Sequence, residues 1–261
     1  MRIVIIGSGN TATVLGRLIK NAGHEVLQIF SRQHQHALQL ASELNCEAVS
    51  QWQNITQQAE IYVVALSDSA LQEIETHWYC NNGMVVHTAG SVSINVLQKV
   101  SEHFGVLYPL QSLRKEKMDI GTIPLLTAAN TPGNLARLDQ FAQSLSAITS
   151  HATDEQRMYL HLSAVVVNNF GNHLFTLAEA YCQHTGVPFP LLQPLILETA
   201  TRISQVSPGQ VQTGPAARKD RETIARHLQL LETFPALQEI YKVMTNSILH
   251  WPDANLPTKQ F

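Results

Sequence analysis

The chain has 261 residues, 44% of them hydrophobic and 14% charged, with a formal net charge of -3. That length accommodates one large or two medium domains with a sizeable core, and the small negative charge, with no basic stripe, argues against a nucleic-acid surface. The apolar runs are too short to cross a bilayer or to form a signal peptide, and Cys46, Cys80 and Cys182 form no C-x-x-C pair, so a cytoplasmic protein with reduced thiols, and no membrane partner, is expected.

The strand Arg2 to Ile6 leads into Gly7-Ser8-Gly9-Asn10-Thr11-Ala12, followed by an amphipathic helix that stops near Gly23. A G-x-G-x-x-A turn between a buried strand and a helix lets backbone approach a pyrophosphate and aims free N–H groups at its charge. A second strand, Glu25 to Phe30, ends in Ser31-Arg32. NAD-binding units place an acidic residue near this point to hold the ribose 2′-hydroxyl. A hydroxyl and a fixed cation suit a 2′-phosphate instead, so the cofactor expected is NADP.

Gln35 to Leu44 reads as a helix, and Ile61 to Leu66 as a parallel strand buried on both faces. Residues at the carboxyl end of such a strand border the ligand crevice, which places Leu66, Ser67 and Asp68 beside the cofactor. Asp68 reads as the N-cap of a helix from Ala70 to His77, with a catalytic carboxylate as the alternative. The strand at Met84 to Val86 ends in His87-Thr88-Ala89-Gly90-Ser91. His87, Gly90 and Ser91 then face the same crevice, with His87 available as an acid or base. Gly105 to Leu110 and Thr122 to Thr127 are strands interrupted by prolines, hence edge strands or strand starts. Thr131-Pro132 opens a helix to about Leu145, and a short strand near Ala147 to Thr149 closes the sheet. No strand is expected beyond it. The fold class is thus α/β, a Rossmann-like, mostly parallel sheet over residues 1–150 followed by an all-helical domain over residues 151–261.

In the helical part, Leu160, Ala164, Val167, Gly171, Leu174 and Ala178 recur at helical spacing as an apolar face. At 100° per residue, His161, Asn168, Asn172 and Glu179 fall near one line on another face. Amides and an imidazole there suit a wet pocket or close interface, and equally a buried helix with satisfied polar groups. Arg218-Lys219 precede a helix capped by Asp220, a place where a carboxylate or phosphate can be held. The twelve histidines show no ligand pattern, so no metal is expected.

Taken together, Gly7 to Ala12, Leu66-Ser67-Asp68-Ser69, His87 to Ser91, Tyr108-Pro109-Leu110-Gln111-Ser112 and Thr213 to Asp220 resemble a bacterial family that joins a Rossmann-like domain to the helical DUF2520 domain. Its members are described as NADP oxidoreductases. The chain is similar, more distantly, to pyrroline-5-carboxylate reductase, ketopantoate reductase and the β-hydroxyacid dehydrogenases. That resemblance implies hydride transfer between NADPH and a small carbonyl or imine substrate in a cleft between domains, and a homodimer formed through the helical domain. The helix lysine of the β-hydroxyacid dehydrogenases is absent: the positions four before Asn168 and Asn169 are Ala164 and Val165. His161, as proton donor, and Asn168 and Asn172, orienting the substrate, take the catalytic roles. Arg218, Lys219 and Asp220 form the substrate-anion site. Tyr108 stands where the family often has His before Pro, which counts against catalysis at that position. Since a Rossmann fold does not by itself imply turnover, a non-catalytic NADP(H) sensor is the alternative.

Overall fold

The computed structural model describes residues 1–117 and 121–251. The chain divides into two compact units, Met1–Asn168 and Asn169–Phe261.

The first unit runs β1 (Arg2–Ile6), α1 (Asn10–Asn21), β2 (Glu25–Phe30), α2 (His34–Leu44), β3 (Glu47–Val49), β4 (Ile61–Val64), α3 (Asp68–Gln72), β5 (Met84–His87), β6 (Phe104–Pro109), β7 (Leu125–Ala129), α4 (Pro132–Leu145), β8 (Thr149–His151) and α5 (Asp154–Ala164). The strands form one sheet in the order β3-β2-β1-β4-β5-β6-β7-β8. Every neighbouring pair is parallel except β6 and β7. Alternate residues of β1 and β4 point to opposite faces. Ile3, Ile5, Ile61 and Val63 join one core with α1, α2 and α4. Val4, Ile6, Tyr62 and Val64 join a second core on the other face. Apolar residues on both faces are what a covered parallel strand requires.

Several expectations need correction. The two proline-bearing strands are interior, each paired on both sides. Pro109 closes β6 and Pro124 precedes β7, so each proline sits where its missing N–H costs the ladder little. The edges are β3 and β8. The final strand spans Thr149–His151, two residues later than expected. Asp68 does not cap the helix at β4: Ser67 does, its Oγ accepting the Ala70 N–H, and Asp68 is the first helical residue. That helix ends at Gln72, and a separate 3-10 turn follows over Ile74–Thr76. By contrast, α4 begins as expected, with Thr131 Oγ1 accepting from Asn134 N at 3.2 Å and Pro132 in the first turn.

A π-helical passage, Val165–Phe170, follows α5. Its wider turns rotate by less than 100° per residue. The phase that aligned His161, Asn168, Asn172 and Glu179 therefore does not hold across it. The expected apolar face breaks there too, with Val167 77% exposed. The second unit contains α6 (Gly171–Thr185), α7 (Gln193–Ile203), α8 (Arg221–Leu230) and α9 (Pro235–Leu249). No helix among the described residues is long and apolar enough to cross a membrane.

Candidate active site

The strand order reverses between β1 and β4, the position where an open α/β sheet leaves a crevice at its carboxyl edge. Gly7 follows β1 there with φ +132°, and its N–H donates to Phe30 O at 2.8 Å. A Cβ at Gly7 would lie 2.2 Å from Ala65 O, so no side chain fits. Gly9, the N-cap of α1, has open space where a Cβ would project. No side chain caps α1, and no acidic residue sits in its first turn. The first N–H groups of a twelve-residue helix are left to an anion.

These backbone features open onto a cavity of about 400 Å³. Of the residues expected at the cofactor, Gly7, Ser8, Gly9, Ser31, Arg32, Leu66 and Ser67 line it. Ser8 Oγ donates to Ser31 Oγ at 2.9 Å, tying the turn to the end of β2. Ala12 is buried against the core, and Asn10 Oδ1 accepts from Lys115 N at 3.3 Å, which places the segment after β6 against the start of α1. Gln33, His36, Trp52, Glu73 and His77 line the cavity without having been anticipated. Trp52 stacks on His77, with ring centroids 5.6 Å apart and planes 10° from parallel. Gln33 and His36 were legible as neighbours of Arg32. The aromatic pair was not, since it joins two distant segments.

The uncapped helix start, the glycine no side chain can replace and the Ser31-Arg32 end of β2 suit a dinucleotide with a 2′-phosphate. The residues present therefore fit NADP.

A second cluster lies at the carboxyl ends of β5 and β6. Of the expected residues, Gly90 and His161 meet here, and His87 and Ser91 lie in the same segment, which ends β5 and follows it. Ser91 Oγ donates to Asp68 Oδ2, linking the ends of β4 and β5. His161 Nδ1 lies 3.0 Å from Tyr108 OH. Both rings press on Gly90: an added Cβ would stand 2.7 Å from His161 Nδ1 and 2.9 Å from Tyr108 Cζ. Burial raises the Tyr108 phenol above its ordinary range, with the charge of Arg157 acting against that rise.

Arg157 and Asp154 were not anticipated. An i, i+3 pair in a helix is ordinary surface spacing, and nothing local marks it as buried. Yet Arg157 is 1% exposed. Its Nη2 donates to Val92 O and, at 2.9 Å, to Asp154 Oδ1. Asp154 also accepts from Ile94 N at 3.1 Å. The first turn of α5 thereby grips the segment after β5. Burial opposes ionisation of Asp154, but hydrogen bonds from Ser93, Arg157 and Ile94 outweigh it and hold the carboxyl below its usual range.

His87 is wholly buried, its Nδ1 accepting from Ala89 N at 3.2 Å. Burial, then the charge of Arg157, pushes its imidazole down to about 4. It is therefore neutral near pH 7, and its buried Nε2 has no hydrogen-bond partner among the described residues. Asn168 is exposed in the π-helical passage, and Asn172 is exposed on α6 of the second unit. Also in that unit, Asp220 caps α8, accepting from Thr223 N at 3.0 Å and from Thr223 Oγ1 at 2.8 Å. Arg218 and Lys219 occupy the turn before it, where Gly214 has φ +102° and Lys219 φ +54°. No group of three His, Cys, Asp or Glu among the described residues is arranged to hold a metal.

Strand order, turn and uncapped helix define a Rossmann-type dinucleotide-binding unit. Residues 2–89 match a family model described as NADP oxidoreductase coenzyme F420-dependent, and residues 123–248 match that of a domain of unknown function, DUF2520. The chain is 35% identical to the putative NADP oxidoreductase of Bacteroides fragilis, covering 95% of this chain and 97% of that one with a TM-score of 0.87. It belongs to that family of NADP oxidoreductases, whose cofactor is NADP. Two further likenesses show the fold alone. The 1-pyrroline-5-carboxylate reductase of Streptococcus pyogenes is 14% identical over 95% of this chain and 98% of that chain, TM-score 0.64. The imine reductase of Myxococcus stipitatus, in complex with NADP+, is 15% identical over 95% and 93%, TM-score 0.59. No curated protein matches the chain.

Proposed function

We propose that the protein reduces a small carbonyl or imine compound with NADPH, and that His161 supplies the proton. The observation that carries this reading is the placement of His161 on Gly90, at the carboxyl edge of the same sheet whose β1 turn fits the dinucleotide. Bound NADPH supplies a hydride; the chain's task is to hold the cofactor, exclude water and place a proton. Gly7 and the start of α1 hold the pyrophosphate. Arg32 holds the 2′-phosphate, helped by α2, which has neither a side-chain cap nor an acidic residue in its first turn, and by His36 on the same cavity wall. His161 delivers its proton to the oxygen or nitrogen of the bond being reduced. Imine and pyrroline-carboxylate reduction by proteins of the same fold makes cyclic imines the first substrates to try.

The test follows reduced-nicotinamide absorbance against a panel of keto acids and cyclic imines. Steady oxidation of NADPH by at least one is expected, and its loss in His161→Ala with cofactor affinity retained. Arg32→Asp is expected to weaken NADPH binding by about 2 kcal/mol, roughly thirtyfold, while sparing NADH. Equal affinity of the unmodified protein for both cofactors refutes the 2′-phosphate site.

A second copy of the chain is the proposed partner of the helical unit, whose large exposed apolar side chains include Leu174, Phe175, Leu191, Leu195, Leu197 and Val243.

A further inference from the structure

We propose that Lys115 is the cation that meets the cofactor's pyrophosphate, carried to the start of α1 by the segment after β6, and that Arg17 positions it. This deepens the reading of Gly7 and α1 as the pyrophosphate site and rests on that reading, not on the reaction.

The segment is fastened along its length. Leu110 N donates to Pro124 O at 2.9 Å just past β6, and Leu113 packs against the core that α1 joins. Lys115 N donates to Asn10 Oδ1 at 3.3 Å, on the first residue of α1. About two turns along that helix, Arg17 Nη1 donates to Lys115 O at 2.6 Å and to Lys117 O at 3.3 Å. Arg17 Nη2 donates to Glu43 Oε2 on α2 at 3.2 Å, so the guanidinium ties both helices to the segment.

The side chain of Lys115 has no such task. The residue is exposed and enters none of the ion pairs among the described residues. Of its basic neighbours, Arg114 and Lys117 line a small cavity against Val14, one turn into α1. Lys115 is the cation whose own backbone is tied to Asn10, which puts the first turn of the helix within reach of its four-carbon stem. The N–H groups there have neither a side-chain cap nor an acidic neighbour. An anion seated on them meets the helix dipole from one side and an ammonium from the other. Because the backbone carrying the ammonium is already held, binding orders one side chain and not a loop.

The test measures binding of NADPH, ADP and adenosine 2′-phosphate to the whole chain by calorimetry. ADP carries the pyrophosphate without the 2′-phosphate, and adenosine 2′-phosphate the reverse. Lys115→Gln is expected to raise the Kd of NADPH and of ADP about tenfold, the effect of losing one charge-assisted hydrogen bond. Adenosine 2′-phosphate should bind as before, and Lys115→Arg should retain full affinity for all three. Arg17→Gln should weaken the same two ligands by a smaller factor; unchanged values there overturn its positioning role. Unchanged affinity for NADPH and ADP in Lys115→Gln overturns the proposal, as does an equal loss for adenosine 2′-phosphate. Gly9→Asp, which sets a capping carboxylate on the same N–H groups, probes the site itself. Weaker ADP binding in Gly9→Asp but not in Lys115→Gln refutes the lysine alone. ADP binding untouched by Gly9→Asp refutes the pyrophosphate reading together with it.

Discussion

The two units of this chain treat their apolar residues in opposite ways. In the sheet unit, β4, β5 and β6 are buried along their whole length, and α1, α2 and α4 each bury a stripe against the sheet. In the helical unit, α7 and α8 contain no buried residue, while α6 and α9 bury one each, Cys182 and Thr245. Leu191, Leu195 and Leu197 stand 72%, 59% and 69% exposed. A sheet covered by helices on both faces closes its own core. Amphipathic helices that leave leucines in water tie their stability to whatever covers them, and that stability then depends on protomer concentration.

The largest expected effect breaks this contrast directly. Leu195→Glu places a carboxylate where the second copy is proposed to pack, at a cost of several kcal/mol, about 4 or more. Sedimentation at micromolar protein should show a dimer for the unmodified chain and a monomer for the variant. NADPH binding by the sheet unit should survive. A variant of unchanged mass sinks the proposal that α7 is covered by a second copy.

The next effect belongs to the sheet unit and is read by pH. His87 has its folded value lowered to about 4 from an ordinary 6.5. Between those values the unfolded chain binds a proton that the native chain does not, so stability falls as pH falls from 6.5 toward 4. The loss approaches about 3 kcal/mol at the acid end. His24, also lowered, chiefly by burial, adds in the same direction. In urea melts at a series of pH values, His87→Gln should flatten this slope. An equally steep slope in the variant would mean that His87 is not the titrating group.

How much of this was legible depended on how local each determinant is. Gly7 to Ala12 and Ser31-Arg32 announce themselves because turn, helix start and strand end are set within a few residues. The capping of α4 by Thr131 and of α8 by Asp220 was readable for the same reason. The partner of His161 was not. Tyr108 lies 53 residues away, and only the pairing of β6 beside β5 brings it over Gly90. Arg157 was invisible as a buried cation, since burial comes from the segment it grips, Val92 to Ile94, and not from its own helix. The line from His161 to Glu179 failed for a third reason. It assumed one α-helical phase across Val165–Phe170, and three consecutive valines and two asparagines carry no pattern that signals π geometry.

The smallest effects sharpen the comparison of units. Thr131 caps α4 in the sheet unit, and Asp220 caps α8 in the helical unit. Replacing either with Ala removes one hydrogen bond to a helix start and costs about 1 kcal/mol. If the sheet unit closes its own core, Thr131→Ala lowers the melting temperature by the same few degrees at every protein concentration. If the helical unit is completed by a second copy, Asp220→Ala weakens the folded protomer that associates, so its cost appears as a shift in the midpoint of the monomer–dimer equilibrium as well as in the melt. Differential scanning calorimetry over a hundredfold range of protein concentration, about the span of two decades that separates the cases, reads both variants. Identical concentration dependence for the two would show that the units share one stability, and that the leucines exposed on α7 do not set it.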